Sequence, residues 1–263
     1  PGTYTVTVTN NSNGCTATAS TIVTQDITQP NAIASNNGPL TCLKPTVTLT
    51  AQPGTGVTYS WSTGGNTQTV NVTTPGTYTV TVTNSTNGCT ATATTIVTQD
   101  IVPPSASASN NGPLTCAKTS VTLTALPATG VTYSWSTGGN TQTVSVGTSG
   151  TYTVTVTAPN GCTATATTTV TQDVTQPIAT ATNNGPLTCV KTSVIVSATP
   201  TTGVTYQWSN VGGTNQTFST SVPGTYTVTV TSPNGCSATA STLVAQDITQ
   251  PNAIASNNGP LTC

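Results

Sequence analysis

Charged side chains are almost absent from this chain of 263 residues, where they make up 3% of the sequence against about a quarter in an ordinary soluble domain. The chain has no Glu, Arg, His or Met, and its charged side chains are four Asp and three Lys. Acid–base and nucleophilic catalysis need titratable groups in pairs, or a nucleophile beside a base. So few groups do not supply such pairs. We therefore predict that the protein is not an enzyme and binds no cofactor.

The same scarcity argues against other kinds of partner. Nucleic-acid binding draws its affinity from Lys and Arg on phosphates, and three lysines form no basic patch. No run of 18 apolar residues is present, so we expect no membrane span. The cysteines have no accompanying His and no Cys-x-x-Cys spacing, which argues against a zinc site. We therefore expect neither a nucleic-acid partner nor a metal.

Internal repetition decides the organisation of the chain. The stretch "PGTYTVTVTN" at 1–10 returns unchanged at 75–84. Two series of cysteines step along the sequence by 74, 73 and 74 residues: Cys15, Cys89, Cys162 and Cys236, and then Cys42, Cys116, Cys189 and Cys263. We therefore predict the end of one repeat, three complete repeats and the start of a further one, with these boundaries: 1–26, 27–100, 101–173, 174–247 and 248–263.

Within each repeat, apolar residues alternate with threonine. In 77–83, Tyr78, Val80 and Val82 share one face and the threonines share the other. A period of two is typical of half-buried strands, and no stretch has a helical period. Similar runs lie between Gly-, Pro- and Asn-rich turns at 46–51, 57–61, 67–72 and 88–99. We predict an all-β fold, a tandem array of small Ig-like antiparallel β-sandwiches of about 74 residues each.

Each repeat offers three aromatic residues that suit such a core. Trp61 lies on the predicted third strand, and Tyr78 follows Gly76 where an Ig-like sandwich would have a tyrosine corner. The alternative is an exposed pair that stacks on sugars. We assign the following residues to the core: Tyr59, Trp61, Tyr78, Tyr133, Trp135, Tyr152, Tyr206, Trp208 and Tyr226.

A unit of 74 residues buries a small core and usually needs a covalent aid, so the cysteines are expected to form disulfides. Two pairings are open: one within each repeat, and one across each junction, as in Cys15–Cys42. We expect the first, because it makes every repeat self-contained. Disulfides indicate an oxidising compartment outside the cell. The expected bonds are Cys42–Cys89, Cys116–Cys162 and Cys189–Cys236, with Cys15 and Cys263 paired outside this sequence.

The few charges recur at a fixed spacing. An Asp that closes one repeat precedes the next repeat's Lys by 18 residues in each case. Our hypothesis is that each pair meets at a junction and sets the angle between neighbours. Alternatively, the charges are solubilising groups copied with the repeat, or the Lys forms an isopeptide bond with Asn36 or Asn37. The expected pairs are Asp26–Lys44, Asp100–Lys118 and Asp173–Lys191.

The stretch at 59–99 resembles the SprB-type repeats, related to PKD and other Ig-like modules, of giant surface adhesins in gliding bacteria. The shared features are a Tyr-x-Trp strand, a Gly-rich turn, "GTYTVTVT", and "NGC" before an Ala/Thr strand. The resemblance implies a β-sandwich array exported to the cell surface, with a role in adhesion and gliding motility. The Asp that many members carry after "TVTVT" is replaced here by Asn84, Ala158 or Ser232.

Together these patterns predict an extracellular, Thr-rich structural protein, the stalk or filament of a very long adhesin. The junction at 24–42 carries Pro30 and Pro39 and no flexible Gly/Ser run, which indicates a stiff connection. The expected partners are further copies of the same repeat, laterally associated chains because the surface is nearly uncharged, and a surface or glycan target reached through other domains. The alternatives are a carbohydrate-binding sandwich array and a laterally packed filament or surface layer.

Overall fold

The computed structural model describes residues 1–210 and 213–259, and its regular elements in these ranges are all β-strands. The all-β prediction is therefore confirmed. Within the described ranges, no helix is long and apolar enough to cross a membrane. The chain divides into two compact units, Pro1–Ser105 with Val156–Ala164, and Ala106–Thr155 with the residues from Thr165 onward. The first unit thus takes one short segment from the second repeat.

The first unit begins with a two-stranded antiparallel hairpin, β1 (Gly2–Thr9) and β2 (Thr16–Val23). The first complete repeat then folds into eight short strands, which alternate with turns. Their bounds are β3 (Ile33–Asn36), β4 (Leu40–Thr41), β5 (Val47–Gln52), β6 (Val57–Trp61), β7 (Thr69–Val72), β8 (Gly76–Asn84), β9 (Thr90–Val97) and β10 (Gln99–Asp100).

These strands form the two facing sheets of an Ig-like sandwich. One sheet has the order β3-β5-β7 and the other β6-β8-β9, and all neighbours in both are antiparallel. A parallel pair, β4 with β10, places Leu40 opposite Gln99 and Thr41 opposite Asp100. This pair ties the segment after the first strand to the end of the last strand.

The core lies between the two sheets and follows the alternation in the sequence. Val47, Leu49, Val80 and Val82 are fully buried, and Leu40 covers one edge of the same cluster. The intervening threonines point outward, where their branched Cβ atoms suit a pleated surface. The register pairs Thr79 with Thr94, Thr81 with Thr92 and Thr83 with Thr90, so threonines line up across the outer face of the second sheet.

The second and third repeats follow the same plan. The strands of the second repeat are β11 (Ser107–Asn110), β12 (Leu114–Thr115), β13 (Val121–Leu126), β14 (Thr132–Trp135), β15 (Thr143–Val146), β16 (Gly150–Thr157), β17 (Thr163–Val170) and β18 (Gln172–Asp173). Those of the third are β19 (Thr180–Asn183), β20 (Leu187–Thr188), β21 (Val194–Thr199), β22 (Thr205–Trp208), β23 (Thr217–Thr220), β24 (Gly224–Thr231), β25 (Ser237–Val244) and β26 (Gln246–Asp247). The sheets have the orders β11-β13-β15, β14-β16-β17, β19-β21-β23 and β22-β24-β25, and the parallel pairs are β12-β18 and β20-β26.

The aromatic residues of the three complete repeats lie in or against the cores. The three tryptophans are 1–3% exposed, and Tyr226 is also buried. The indole of Trp61 donates to Thr67 O at 3.0 Å, so its one polar atom is satisfied. The other tyrosines of these repeats are half-buried, and they are Tyr59, Tyr78, Tyr133, Tyr152 and Tyr206. Tyr4, in the first hairpin, is exposed.

A tyrosine corner is present in every complete repeat. The Tyr78 hydroxyl donates to the main-chain oxygen of Thr74 at 2.8 Å, four residues upstream. Tyr152 and Tyr226 make the same bond at the same distance, to Thr148 O and Val222 O. The other tyrosine of each repeat anchors a turn, as where the Tyr133 hydroxyl donates to Pro127 O at 2.6 Å.

The predicted strands match β5 to β9 to within a few residues, but the junction at 24–42 is not only a connection. It contains β3 and β4, the first two strands of the sandwich. Because β3 is four residues long and β4 two, neither shows a periodic pattern of its own. The first sheet is completed by the segment that the sequence presents as a linker.

Candidate functional site: the joint between successive repeats

Two small structures carry the cysteines, and they occur in every complete repeat. We call the first the cysteine loop, a Thr-Cys-x-Lys turn at 41–44, 115–118 and 188–191. We call the second the Asn-Gly-Cys turn, at 87–89, 160–162 and 234–236.

The cysteine loop is a closed turn held against its own repeat. Thr41 N donates to Lys44 O at 3.0 Å, and Lys44 N donates back to Thr41 O at 3.1 Å. The ammonium group of Lys44 donates to the main-chain oxygen of Asn37. The other lysines do the same, with Lys118 bound to Asn111 O at 2.7 Å and Lys191 to Asn184 O at 2.6 Å. Each lysine therefore anchors the loop that presents a cysteine.

The Asn-Gly-Cys turn precedes the last long strand of each repeat. In the second repeat, Ala158 N donates to Cys162 O and Gly161 N to Ala158 O, both at 2.9 Å. The side-chain oxygen of Asn160 accepts from Cys162 N at 2.9 Å. Gly161 has a φ of 79°, a left-handed conformation that favours glycine. These bonds fix the asparagine and the cysteine side by side.

A disulfide joins the cysteine loop of one repeat to the Asn-Gly-Cys turn of the next. In the first unit Cys42 is bonded to Cys162, and in the second Cys116 is bonded to Cys236, each over 120 residues. The predicted bonds within repeats, Cys42–Cys89, Cys116–Cys162 and Cys189–Cys236, are therefore wrong, and so is the alternative Cys15–Cys42.

The direction of the last strand explains why a bond within one repeat fails. Cys42 follows β4, which pairs with β10, whereas Cys89 precedes the start of β9. The eight residues of β9 rise about 3.3 Å each and separate the two cysteines by roughly 25 Å. A disulfide needs Cα atoms less than about 7 Å apart. The two cysteines of one repeat therefore lie at opposite ends of its sandwich.

Close packing accompanies each bond. Leu43 N donates to Asn160 O at 3.4 Å, and Ala117 N donates to Asn234 O at 3.3 Å. A Cβ atom built on Gly161 would overlap Leu43, and one on Gly235 would overlap Ala117. At 235 glycine is therefore favoured by the approach of the Ala117 main chain as well as by its φ angle, whereas at 161 the exposed Leu43 side chain would have to move.

The asparagine of the turn binds the end of the preceding repeat. Asn160 Nδ2 donates to Asp100 Oδ1 at 2.8 Å and to Val102 O at 3.0 Å. Asn234 makes the corresponding bonds, at 3.1 Å to Asp173 Oδ1 and 3.0 Å to Thr175 O. Each amide thus uses its oxygen inside its own turn and its nitrogen across the joint.

The aspartates take part in the joint, but their partners are not the lysines. The predicted ion pairs Asp26–Lys44, Asp100–Lys118 and Asp173–Lys191 are wrong, because the ammonium groups bind the asparagine carbonyls and the carboxylates bind other donors. The isopeptide alternative fails too, since Lys44 meets the main-chain oxygen of Asn37 and not its side chain.

Hydrogen bonds to the ionised carboxylates change their acidity. The main-chain N–H of Thr175 lowers the pKa of Asp173, and the Asn234 side chain lowers it further. The pKa of Asp26 is lowered in the same way, first by Thr28 N and, more weakly, by Asn87. Thr249 N lowers the pKa of Asp247. The charged form of these groups is therefore favoured where the amide bonds to it.

Three further cysteines lie in a cysteine loop or an Asn-Gly-Cys turn that carries no disulfide. Cys89 and its turn are half-buried and unbonded, and Cys15 and Cys189 are exposed and unbonded. Val190, in the place of Leu43 and Ala117, is 94% exposed, against 76% for Leu43. Cys263 lies outside the described residues. Within those residues, no group of three or more His, Cys, Asp or Glu side chains could hold a metal ion.

No model of a known protein family matches the chain, and no curated protein matches it. Similar solved structures include a 1.5-MDa bacterial ice-binding adhesin, at 18% identity and a TM-score of 0.47, over 85% of this chain and 100% of that one. Three domains of the bacteriophage RB49 outer capsid protein Hoc are 15% identical (TM-score 0.34, 83% and 99% covered). Four Ig domains of Dscam1 isoform 6.9 are 14% identical (TM-score 0.21, 77% and 69% covered). Likenesses this weak assign neither a family nor a function.

Cleavage at lysine tests the disulfide pairing, because the three lysines divide the chain into 1–44, 45–118, 119–191 and 192–263. Thiols are blocked, and the unreduced, unfolded chain is digested with a lysine-specific endoprotease. The observed bonds predict two linked pairs, 1–44 with 119–191 and 45–118 with 192–263. The substitution Pro45→Thr, which copies Thr119 and Thr192, ensures cleavage after Lys44.

Each rival pairing gives a different product in the same digest. Bonds within repeats would hold all four peptides together, whereas bonds across junctions, as in Cys15–Cys42, would release four separate peptides. Either pattern, read by mass spectrometry without reductant, would contradict the observed joint.

Substituting glycine tests the close approach in the joint. Gly235→Ala places a methyl group against Ala117 in addition to straining a φ of 79°. Gly88→Ala is a matched control, because its φ of 73° carries the same strain of about 1–2 kcal/mol while its Cβ meets nothing within 4 Å. After reduction and reoxidation we expect Cys116 and Cys236 to stay open to alkylation only in Gly235→Ala. Equal alkylation in both variants would show that the contact is unimportant.

Lowering the pH tests the role of Asp173. Because its folded pKa is lowered, its contribution to the joint is complete above the ordinary carboxyl pKa and is lost as the pH falls through the lowered value. In the unchanged chain, we expect the rate at which a phosphine reductant opens Cys116–Cys236 to rise as the pH enters that acid range. In Asp173→Asn the rate should lack this rise, because the variant has no carboxylate to protonate at that position. Superimposable pH profiles for the two proteins would remove Asp173 from the joint.

Proposed function

We propose that the chain is a length of the stalk or extracellular filament of a long cell-surface adhesin, and that it is structural and non-catalytic. The observation that carries this proposal is the joint. It occurs twice with the same 120-residue disulfide span and the same bond from an asparagine to the aspartate of the preceding repeat. Such a joint connects each repeat to the next by a disulfide and by hydrogen bonds.

The energetics of the joint favour a structural role. In the chain-entropy model, a disulfide that closes a loop of 120 residues stabilises the folded state by about 5 kcal/mol. The two loops overlap, so their contributions are not independent. In repeat arrays the stability sums over units and neighbour interfaces. Here the interface is covalent as well as hydrogen-bonded.

The same bonds support a location outside the cell. Structural disulfides persist in oxidising compartments and are rare in reducing cytosol. The chain's motifs at 59–99 support a relation to SprB-type adhesin repeats, which is the source of the assignment to an adhesin. Gliding motility belongs to that proposed relation.

The position of the tryptophans does not favour the sugar-binding alternative. A binding face for sugars would need exposed aromatic rings, and Trp61, Trp135 and Trp208 are buried. Tyr78, Tyr152 and Tyr226 use their hydroxyl groups in the tyrosine corners. The outer faces offer threonine hydroxyls instead, so lateral association with like chains is the alternative that remains.

Immunogold labelling tests the proposal on intact cells of the source organism. Antibodies against this chain should decorate fibres outside the cell envelope, and proteolytic shaving of the cells should remove the label. Label that resists shaving and appears only in sectioned cytoplasm would overturn the proposal.

A glycan array probed with the purified chain tests the alternative that the chain is a carbohydrate-binding array. We expect no saturable binding to any glycan. Saturable binding that is lost when the chain is unfolded would replace the stalk by a sugar-binding array.

A further inference from the structure

The two disulfides interleave along the sequence. The loop closed by Cys42–Cys162 and the loop closed by Cys116–Cys236 share residues 116–162. Every peptide bond from Cys42 to Cys236 is therefore spanned by at least one disulfide, and those between Cys116 and Cys162 are spanned by both. Bonds within repeats would leave the connections between repeats unspanned.

From this interleaving we infer that the array is a covalent ladder, which stays in one piece when any single peptide bond between Cys42 and Cys236 is cleaved. Hydrolysis of a peptide bond consumes one water and leaves a carboxylate and an amine, and no disulfide changes. The two sides of the cut remain connected through the spanning cystine. This property goes beyond the stalk function and does not depend on it.

The ladder has two side rails. One runs from Cys42 through its disulfide to Cys162, and along the chain to Cys189. The other runs from Cys89 along the chain to Cys116, and through its disulfide to Cys236. The rungs are the segments between the first and last cysteines of each repeat, at 42–89, 116–162 and 189–236. The first rung contains β5 to β8, so the folded sandwich itself connects the rails.

The spanned region includes an exposed connection between two repeats. Residues 101–104 after β10 have no regular structure, and Val102 is 72% exposed. Proteolytic nicking concentrates in exposed loops. In a chain without interleaved bonds, a cut there would separate the first repeat from the second. Here Cys42–Cys162 spans this cut.

The lysines again provide the test, because single cuts can be programmed. Lys44→Arg with Lys118→Arg leaves Lys191 as the only site for a lysine-specific endoprotease, and the charge is kept. After thiol blocking, the full chain is cleaved and unfolded without reductant. We expect one species, heavier than the intact chain by one water, and two fragments, 1–191 and 192–263, when reductant is added.

Two serine variants in the same background identify the bond that holds the cut. Cys116→Ser with Cys236→Ser should release the fragments without reductant, because only Cys116–Cys236 spans Lys191 among the observed bonds. Cys42→Ser with Cys162→Ser is the matched control and should stay joined. Cys189→Ser should also stay joined, which separates the ladder from a Cys189–Cys236 bond.

Fragments that separate without reductant in the background protein would overturn the ladder, and so would release by Cys189→Ser. The readout is connectivity alone and does not depend on adhesion or export. A negative result would therefore leave the stalk proposal to be judged by its own labelling experiment.

Discussion

The disulfide between successive repeats is the constraint to which the other parts of the joint are fitted. It can form only because the cysteine loop and the Asn-Gly-Cys turn lie at opposite ends of a sandwich, which the eight-residue last strand ensures. The loop must then reach over the neighbouring turn, and a side chain larger than glycine at 161 or 235 would obstruct it. Lys44 holds the loop in position and Asn160 holds the turn against Asp100. The joint therefore accounts for both the cysteines and most of the charges.

The sandwich between the joints is simple, and its simplicity suits a repeated unit. Two three-stranded sheets enclose a small cluster of Val, Leu and Trp, while threonine covers the outside. A domain of this size buries a limited apolar area, so it gains less from its core than a larger domain would. A disulfide from each repeat to the next adds stability that the small core of a single repeat does not provide. Few charged residues are needed to hold neighbouring repeats together, because covalent and amide contacts fix the interface.

Strands, core and tyrosine corners could be predicted because each leaves a local pattern. The alternation of Val80 and Val82 with threonine is visible in any window of six residues, and Tyr78 follows a glycine at a strand start. The partners of Cys42 and Asp100 leave no such pattern. The expectation of a self-contained repeat favours Cys89, about 47 residues away, over Cys162 at 120. The parallel pairing of β4 with β10 places Cys42 at the far end of the sandwich from Cys89. This pairing involves two residues in each strand, which is too short to leave a pattern in the sequence.

The same reason explains the mistaken ion pairs. A constant interval of 18 residues between Asp100 and Lys118 shows that both were copied with the repeat, not that they meet. Asn160, which binds the aspartate, lies 60 residues away and on the next repeat. Its signal in the sequence was the "NGC" stretch, in which an asparagine before a left-handed glycine can cap its own turn and still donate outward.

The span of the disulfide also sets an order in which folding and oxidation must occur. Cys42 must remain a thiol until the Asn-Gly-Cys turn of the next repeat, which carries Cys162, has formed. Until then Cys89 of the same repeat is a wrong partner, and the length of the folded first sandwich keeps the two thiols apart. A folded sandwich thus protects its own cysteines against the wrong bond. The correct bond of each repeat forms only when the following repeat is in place.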